Sequence, residues 1–180
     1  NDDRKLFIEN SLVSYKIADR VPGSGIDLER FNFSKNVNRV VNRKFHFLLI
    51  ARMLWDKGIG EYVEAARLLR KNGVHAEFCL LGFLDVQNPA AISNKQVNDW
   101  VSEGVVQYLG ASSDVRKEII KSDCVVLPSY YREGVPHSLL ESAAVGKPII
   151  TTNSVGCKEV VDDRINGYLC EVRNPIDLAE

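Results

Sequence analysis

Two cations and two carboxylates are the residues of this sequence whose types and spacing could do chemistry. Arg52 and Lys57 are two cations five positions apart, and Glu133 and Glu141 are two carboxylates eight positions apart around a Gly, a Pro and a His. A guanidinium can bind two phosphate oxygens at once, whereas an ammonium acts as a point charge. An ionised carboxylate accepts hydrogen bonds from neighbouring hydroxyl groups. Taken alone, however, such side chains are more often solvated surface charges.

The segment between the two carboxylates is suited to binding an anion. Pro136 fits the first turn of a helix, so the backbone from Val135 onward would present free N–H groups and the positive end of the helix dipole. Pro136 also prevents one continuous helix from joining the two carboxylates. We therefore expect Glu133 to reach a ligand from a loop and Glu141 to reach it from a helix.

The elements that position these residues alternate along the chain. Apolar runs at 45–51, 77–82, 105–110, 124–128 and 148–152 are separated by helical patterns that begin at 58, 93, 114 and 136. Runs without polar alternation suit strands that are buried on both faces of a parallel sheet. The pattern predicts a Rossmann-like, doubly wound α/β domain with a mainly parallel sheet. Such sheets bind ligands at the carboxyl ends of their strands, and Arg52, Lys57 and Glu133 all follow strands.

Composition and absent motifs exclude several other classes. The net charge of -1 gives no basic excess for nucleic acid, so we expect no nucleic-acid partner. The four cysteines and three histidines lie far apart, which argues against a protein-built metal site. There is no GxGxxG or GxxxxGK[ST] motif for a dinucleotide or a P-loop. No apolar run reaches the roughly 20 residues of a membrane span, and a cytoplasmic location is predicted.

Seven segments, in order between residues 20 and 180, match those of one enzyme family. They are VPGSGIDLERF, ARMLWDKGIGEYVEAA, YLGASSDV, VLPSYYREGVPHSLLE, GKPIITT, GCKEVVDDRINGYLC and NPIDLAE. The second resembles a G-R-L-x-x-x-K-G motif, and the fourth resembles an E-x7-E signature. The chain thus resembles the retaining GT-B glycosyltransferases of family 4, also called glycosyl transferases group 1. That family has two Rossmann-like domains, and this chain resembles the C-terminal one, which holds the nucleotide-sugar donor.

The resemblance implies roles for the four charged residues. Arg52 and Lys57 match the pair that holds the donor diphosphate. Glu133 matches the acid beside the donor sugar, and Glu141 matches the acid that binds the ribose hydroxyl groups. The implied catalytic set is Glu133, Arg52 and Lys57, because the leaving diphosphate gains negative charge that the two cations would stabilise without a metal.

The resemblance also assigns the loop between the carboxylates. Gly134, Val135 and Pro136 match the loop whose backbone meets the sugar and the phosphate. The sequence departs from the family pattern at two positions. Ala51 stands where the family usually has Gly before the Arg, and His137 stands where an Arg is common.

The implied activity is transfer of a sugar from a nucleoside diphosphate, UDP or GDP, with retention of anomeric configuration. The expected acceptor is a glycan or a lipid-linked sugar in bacterial surface polysaccharide or glycoconjugate synthesis, with no metal cofactor. The full-length protein could then act at the inner face of the membrane. Two alternatives stay open: a GT-B epimerase or phosphorylase, and a non-catalytic module that only binds nucleotide sugars.

The resemblance implies a partner within the same polypeptide. Residues 1–20 are expected to lead in from an N-terminal, acceptor-binding domain. Residues 21–180 are expected to form the donor-binding domain, truncated inside a helix that begins at Asn174 and Pro175. The isolated piece is expected to bind the donor and to show negligible transfer.

Overall fold

In the part of the chain that the structure describes, six strands form one parallel sheet. The computed structural model describes residues 2–19, 25–33, 43–84, 87–132 and 134–180. The strands are β1 Phe45–Ile50, β2 Ala76–Leu81, β3 Gln107–Tyr108, β4 Cys124–Leu127, β5 Ile149–Thr152 and β6 Gly167–Cys170. Their order across the sheet is β3-β2-β1-β4-β5-β6, and every neighbouring pair is parallel. The predicted doubly wound α/β class is confirmed.

Helices connect the strands, and capping residues set several of the helix ends. The helices are α1 Asp2–Glu9, α2 Ile59–Lys71, α3 Asn94–Ser102, α4 Val115–Lys121, α5 His137–Ala144 and α6 Pro175–Ala179. The Ser93 hydroxyl accepts a hydrogen bond from the Gln96 N–H at 3.1 Å, as a capping box predicts. The Asn174 side chain accepts from two N–H groups of α6, with Pro175 at the first position of the helix.

The sheet is buried on both faces. Leu49 of β1 and Val126 of β4 pack on the face that α2 covers. Leu48 of β1 points to the opposite face, where α4 packs, and Val125 of β4 packs there against Leu139 of α5. Successive residues of a strand point to opposite faces, so both members of each pair must be apolar. This explains the continuous apolar runs of the sequence.

Three sequence predictions need correction. The strand predicted over 105–110 contains only Gln107 and Tyr108, because only these residues pair with β2. The helix predicted from Pro136 begins at His137; Pro136 has a ψ of 127° and caps the helix from outside it. The helix predicted from 114 begins at Val115. Strand β6 was not predicted at all.

The strand order reverses between β1 and β4. The chain moves from β1 outward through β2 and β3, and then returns to place β4 on the other side of β1. In a parallel sheet the loops that follow two such strands diverge and leave a crevice at their carboxyl ends. The loops that follow β1 and β4 carry Arg52, Lys57 and the 134–136 segment.

Candidate functional site

One main-chain carbonyl joins the loops that follow β1 and β4. The Asp56 oxygen accepts hydrogen bonds from the backbone nitrogens of Tyr130 at 3.1 Å and Tyr131 at 3.2 Å. The Ser129 hydroxyl donates to the same oxygen at 3.2 Å. These three bonds fix the start of the β4 loop beside the residue that precedes Lys57.

Gly58 allows the same two loops to touch. Its φ is +74°, in the left-handed region, and a Cβ built there would lie 2.0 Å from the carbonyl oxygen of Pro128. A glycine adopts this conformation without steric cost and leaves room for the neighbouring backbone. The Lys-Gly pair at 57–58 therefore has a structural reason as well as a chemical one.

Both predicted cations belong to the β1 loop. The Arg52 side chain is exposed, and its carbonyl accepts from the Leu54 nitrogen at 2.8 Å. Lys57 is half-buried and is the last residue of a short 3₁₀ turn, Trp55–Lys57. The Met53 nitrogen donates to the Phe83 oxygen at 2.9 Å, which ties this loop to the one after β2. Both cations are therefore held at the carboxyl edge of the sheet.

The β4 loop leads into the amino end of α5, as predicted. Gly134 is exposed, Val135 is half-buried and Pro136 is buried. The Leu139 nitrogen donates to the Pro136 oxygen at 3.1 Å, and Pro136 has no side-chain acceptor to cap the earlier N–H groups. Those groups can meet an anion at the helix terminus. Glu133 lies outside the described residues, so its assigned place remains a prediction.

Glu141 is held partly out of water on α5. It is half-buried, and burial raises the pKa of its carboxyl group. The positive charges of His137 and Arg30 oppose that rise and lower the pKa. A partly desolvated carboxylate at this position can accept hydrogen bonds from hydroxyl donors.

Arg30 was not predicted as a site residue, but its charge acts on Glu141, and a turn sets its backbone position. The Asp27 carboxylate accepts hydrogen bonds from the backbone nitrogens of Glu29 at 2.9 Å and Arg30 at 3.0 Å. This turn buries Phe31 in the core beside α4. An Asp two residues before its N–H partner is a recognisable turn signal. The electrostatic influence of Arg30 on Glu141 depends on the tertiary structure and has no such signal.

Hydroxyl groups in and after β5 donate hydrogen bonds to the backbone at the end of β4 and the start of its loop. The Thr152 hydroxyl donates to the Ser129 carbonyl, and the Ser154 hydroxyl donates to the same oxygen at 3.2 Å. Thr151 donates to the Leu127 carbonyl at 2.6 Å. The last two residues of β5, together with Ser154 after it, therefore fix the backbone just before the two tyrosines.

The described residues also bear on metal binding and on membrane-spanning helices. Within the described ranges, no three His, Cys, Asp or Glu side chains are grouped so that they could hold a metal ion. Among the described helices, none has the length and apolarity needed to cross a membrane.

Residues 30–180 match the family model described as glycosyl transferases group 1. The match covers most of the chain. The chain belongs to the glycosyl transferases group 1 family. This confirms the resemblance drawn from the sequence motifs.

Individual relatives and structures agree with the family. The chain is 39% identical over 148 residues to an N,N'-diacetylbacillosaminyl-diphospho-undecaprenol alpha-1,3-N-acetylgalactosaminyltransferase of Campylobacter jejuni, covering 82% of the chain and 36% of that relative. It is 27% identical over 152 residues to the amylovoran biosynthesis glycosyltransferase AmsK of Erwinia amylovora, covering 81% of the chain and 36% of the relative. The chain thus spans about a third of the length of these relatives.

A solved structure shows the fold. The chain superposes on Anabaena HepE in complex with UDP-glucose with a TM-score of 0.78 and 20% identity, covering 98% of the chain and 49% of that protein. The fold is therefore the Rossmann-like half of a GT-B glycosyltransferase, as predicted. This chain is thus a member of glycosyl transferases group 1, and it has relatives in bacterial polysaccharide biosynthesis.

Proposed function

We propose that the chain is the donor-binding domain of a retaining glycosyltransferase. The observation that carries this proposal is the meeting of two loops at the β1–β4 switch point, where the Asp56 carbonyl joins the cation-bearing loop to the loop that leads into α5. A ligand at that crevice meets Arg52, Lys57 and a helix amino terminus at the same time. That combination suits a nucleoside diphosphate.

Each side chain then has a defined part in donor binding. Arg52 and Lys57 bind the diphosphate and stabilise the negative charge that develops when the glycosidic bond breaks. Glu141 accepts hydrogen bonds from the two ribose hydroxyl groups. Glu133 acts beside the donor sugar, and the backbone of Gly134 and Val135 lines the sugar and phosphate. No metal is needed when two cations and a helix terminus supply the positive charge.

UDP or GDP is the proposed nucleotide, and UDP is the first to test. HepE is described in complex with UDP-glucose, and its fold is shared by this chain. The acceptor is proposed to be a glycan or a sugar on a lipid diphosphate, since the Campylobacter relative is named for a diphospho-undecaprenol acceptor. An enzyme with that acceptor would act at the cytoplasmic face of the membrane.

Transfer itself is proposed to require an N-terminal, acceptor-binding domain. Residues 1–20 would lead in from it and residues 21–180 would form the donor domain. The first segment has exposed apolar side chains such as Leu12, 72% exposed, and Ile17, 79% exposed. Such side chains are suited to packing against another surface. The 180 residues alone would then bind the donor with negligible turnover.

Calorimetric titration of the chain with UDP, GDP and ADP in EDTA tests the donor site. Binding of one nucleotide without metal is expected, and Arg52→Ala should weaken it about tenfold or more, as loss of a charge-assisted hydrogen bond does. Lys71→Ala, an exposed cation at the end of α2, is the matched control and should leave the affinity unchanged. Absence of binding by the folded chain would contradict the proposal for this domain.

The stereochemistry needs a separate measurement on the full-length protein. The product of sugar transfer should keep the anomeric configuration of the donor, which nuclear magnetic resonance of the anomeric proton can establish. An inverted product would exclude the retaining class. An epimerised nucleotide sugar or a sugar 1-phosphate would instead identify an epimerase or a phosphorylase.

A further inference from the structure

A cation lies over the ring of each of two consecutive tyrosines at the switch point. The Lys57 Nζ atom is 5.6 Å from the ring centroid of Tyr131, and the guanidinium carbon of Arg173 is 4.3 Å from that of Tyr130. Both distances fall in the range where the negative face of an aromatic ring attracts a cation. Lys57 follows β1 and Arg173 follows β6, so the cations reach the tyrosines from opposite sides of β4.

The two tyrosines differ in their surroundings. Tyr130 is half-buried, and burial raises the pKa of its hydroxyl. The Tyr131 side chain is 53% exposed and belongs to none of the buried clusters of the core. Tyr130 belongs to none of these clusters either, although it is the less exposed of the two residues. Core packing therefore does not account for the contact between Tyr131 and Lys57.

The main chain brings these two residues side by side. The Tyr131 nitrogen donates to the Asp56 carbonyl at 3.2 Å, and Asp56 directly precedes Lys57. Gly58 follows in the left-handed conformation and holds Lys57 against the β4 loop. The peptide group between Asp56 and Lys57 is thus joined to the Tyr131 backbone by one hydrogen bond, which places the starting points of the two side chains beside each other.

A lysine side chain has four flexible bonds, and its rotamer entropy opposes binding in a single orientation. A ring that attracts the ammonium before the ligand arrives restricts those rotamers, and such preorganisation improves affinity. We propose that Tyr131 is a positioning residue whose ring holds the Lys57 ammonium in the orientation that the donor diphosphate requires. This inference rests on the proposed function, because it needs Lys57 to bind the diphosphate.

A double-mutant cycle on UDP affinity tests the inference. Lys57→Ala should weaken UDP binding about tenfold or more. Tyr131→Leu should weaken it about two- to fivefold, the range of an exposed cation–aromatic contact. Tyr131→Phe keeps the ring and should bind UDP with the affinity of the wild type. In the Lys57→Ala background, Tyr131→Leu should cause no further loss, because the tyrosine then has no ammonium to orient.

The cycle separates this inference from its rivals. An equal loss on Tyr131→Leu with and without Lys57 would overturn it, since the ring would then act on the ligand or on the loop itself. An unchanged affinity in Tyr131→Leu and in a second variant, Tyr131→Gln, would overturn it as well. Tyr168→Leu, which removes a ring 61% exposed on β6, is the matched control.

The same binding measurements also test the proposed function, separately from the role of Tyr131. If UDP, GDP and ADP all fail to bind the wild-type chain, or if Lys57→Ala and Arg52→Ala leave binding unchanged, the proposed donor site falls and the inference falls with it. If Lys57→Ala weakens binding and Tyr131→Leu does not, only the inference about Tyr131 is overturned. Thermal unfolding of each variant checks that the fold is intact.

Discussion

The carbonyl oxygen of Asp56 lies 3.1 Å from the backbone nitrogen of Tyr130, and this hydrogen bond joins the two loops of the candidate site. Neither residue has a side chain assigned to donor binding. Their backbones nevertheless decide where Lys57 lies relative to the start of α5, because one residue adjoins the lysine and the other begins the loop that enters the helix. Changes to this backbone contact should therefore alter both stability and nucleotide binding.

Gly58→Ala should destabilise the protein strongly. A Cβ at position 58 would lie 2.0 Å from the Pro128 oxygen, and the φ of +74° adds strain. We expect the free energy of unfolding to fall by more than ~2 kcal/mol, the left-handed conformation alone costing about 1–2 kcal/mol. Urea unfolding monitored by circular dichroism measures the loss.

Gly73→Ala is the matched control for that variant. Gly73 has a φ of +81°, but nothing lies within 4 Å of a Cβ built there. It should therefore show the strain of the left-handed conformation without the backbone collision. Equal losses in the two variants would contradict the claim that contact with Pro128 makes Gly58 necessary.

Part of this site could be predicted from the sequence because simple patterns specify it. Continuous apolar runs such as 45–50 and 124–127 predicted buried strands, and parallel strands share one ligand-binding edge. The positions of Arg52 and Lys57 after β1 followed directly. The apolar neighbours of Glu141 in the sequence, Leu139, Leu140 and two alanines, agree with its half-buried position in the structure.

The rest had no sequence signal. Strand β6 is short and lies at the sheet edge, with Tyr168 exposed and Gly167 packed against the Ile149 carbonyl, so it lacks an apolar run. The Asp56 carbonyl is a main-chain group, which any residue would offer. The pairing of Arg173 with Tyr130 depends on the tertiary approach of two loops. Such contacts become visible only once the strand order is known.

Arg52→Lys should weaken nucleoside diphosphate binding while keeping part of it. A lysine retains the charge but loses the planar fork that binds two oxygens at once. We expect an affinity between those of the wild type and Arg52→Ala, measured by calorimetry with the nucleotide that binds the wild type. An affinity for Arg52→Lys equal to that of Arg52→Ala would show that charge alone contributes nothing. An affinity equal to the wild type would show that Arg52 makes no forked contact.

His46 should make stability depend on pH. Its pKa is lowered, first by burial and then by the charge of Arg43, although Glu77, Asp123 and Glu118 act in the opposite direction. The unfolded chain therefore binds a proton more readily than the folded one. The free energy of unfolding should fall as the pH drops through the ordinary histidine pKa of about 6.5.

Unfolding in urea at several pH values between about 7.5 and 5.5, above most carboxyl titration, measures this effect. His46→Gln should flatten the dependence. His75→Gln replaces an exposed histidine and controls for the loss of a histidine as such. A slope that is unchanged in His46→Gln would show that another group is responsible.

Glu141→Gln should separate stability from binding. Burial raises the pKa of Glu141, so folding disfavours its ionised form and neutral pH costs the native state some stability. The amide removes that cost, and we expect a melting temperature equal to or above that of the wild type.

Nucleotide affinity should nevertheless fall, because an amide offers one acceptor oxygen where the carboxylate offers two. The affinity of the wild type should also fall as the pH is lowered towards the raised pKa, and this fall should be absent in Glu141→Gln. Glu64→Gln, an exposed glutamate of α2, is the control and should leave binding unchanged. A variant at 141 that loses both stability and affinity would show instead that the carboxylate is a structural group of α5.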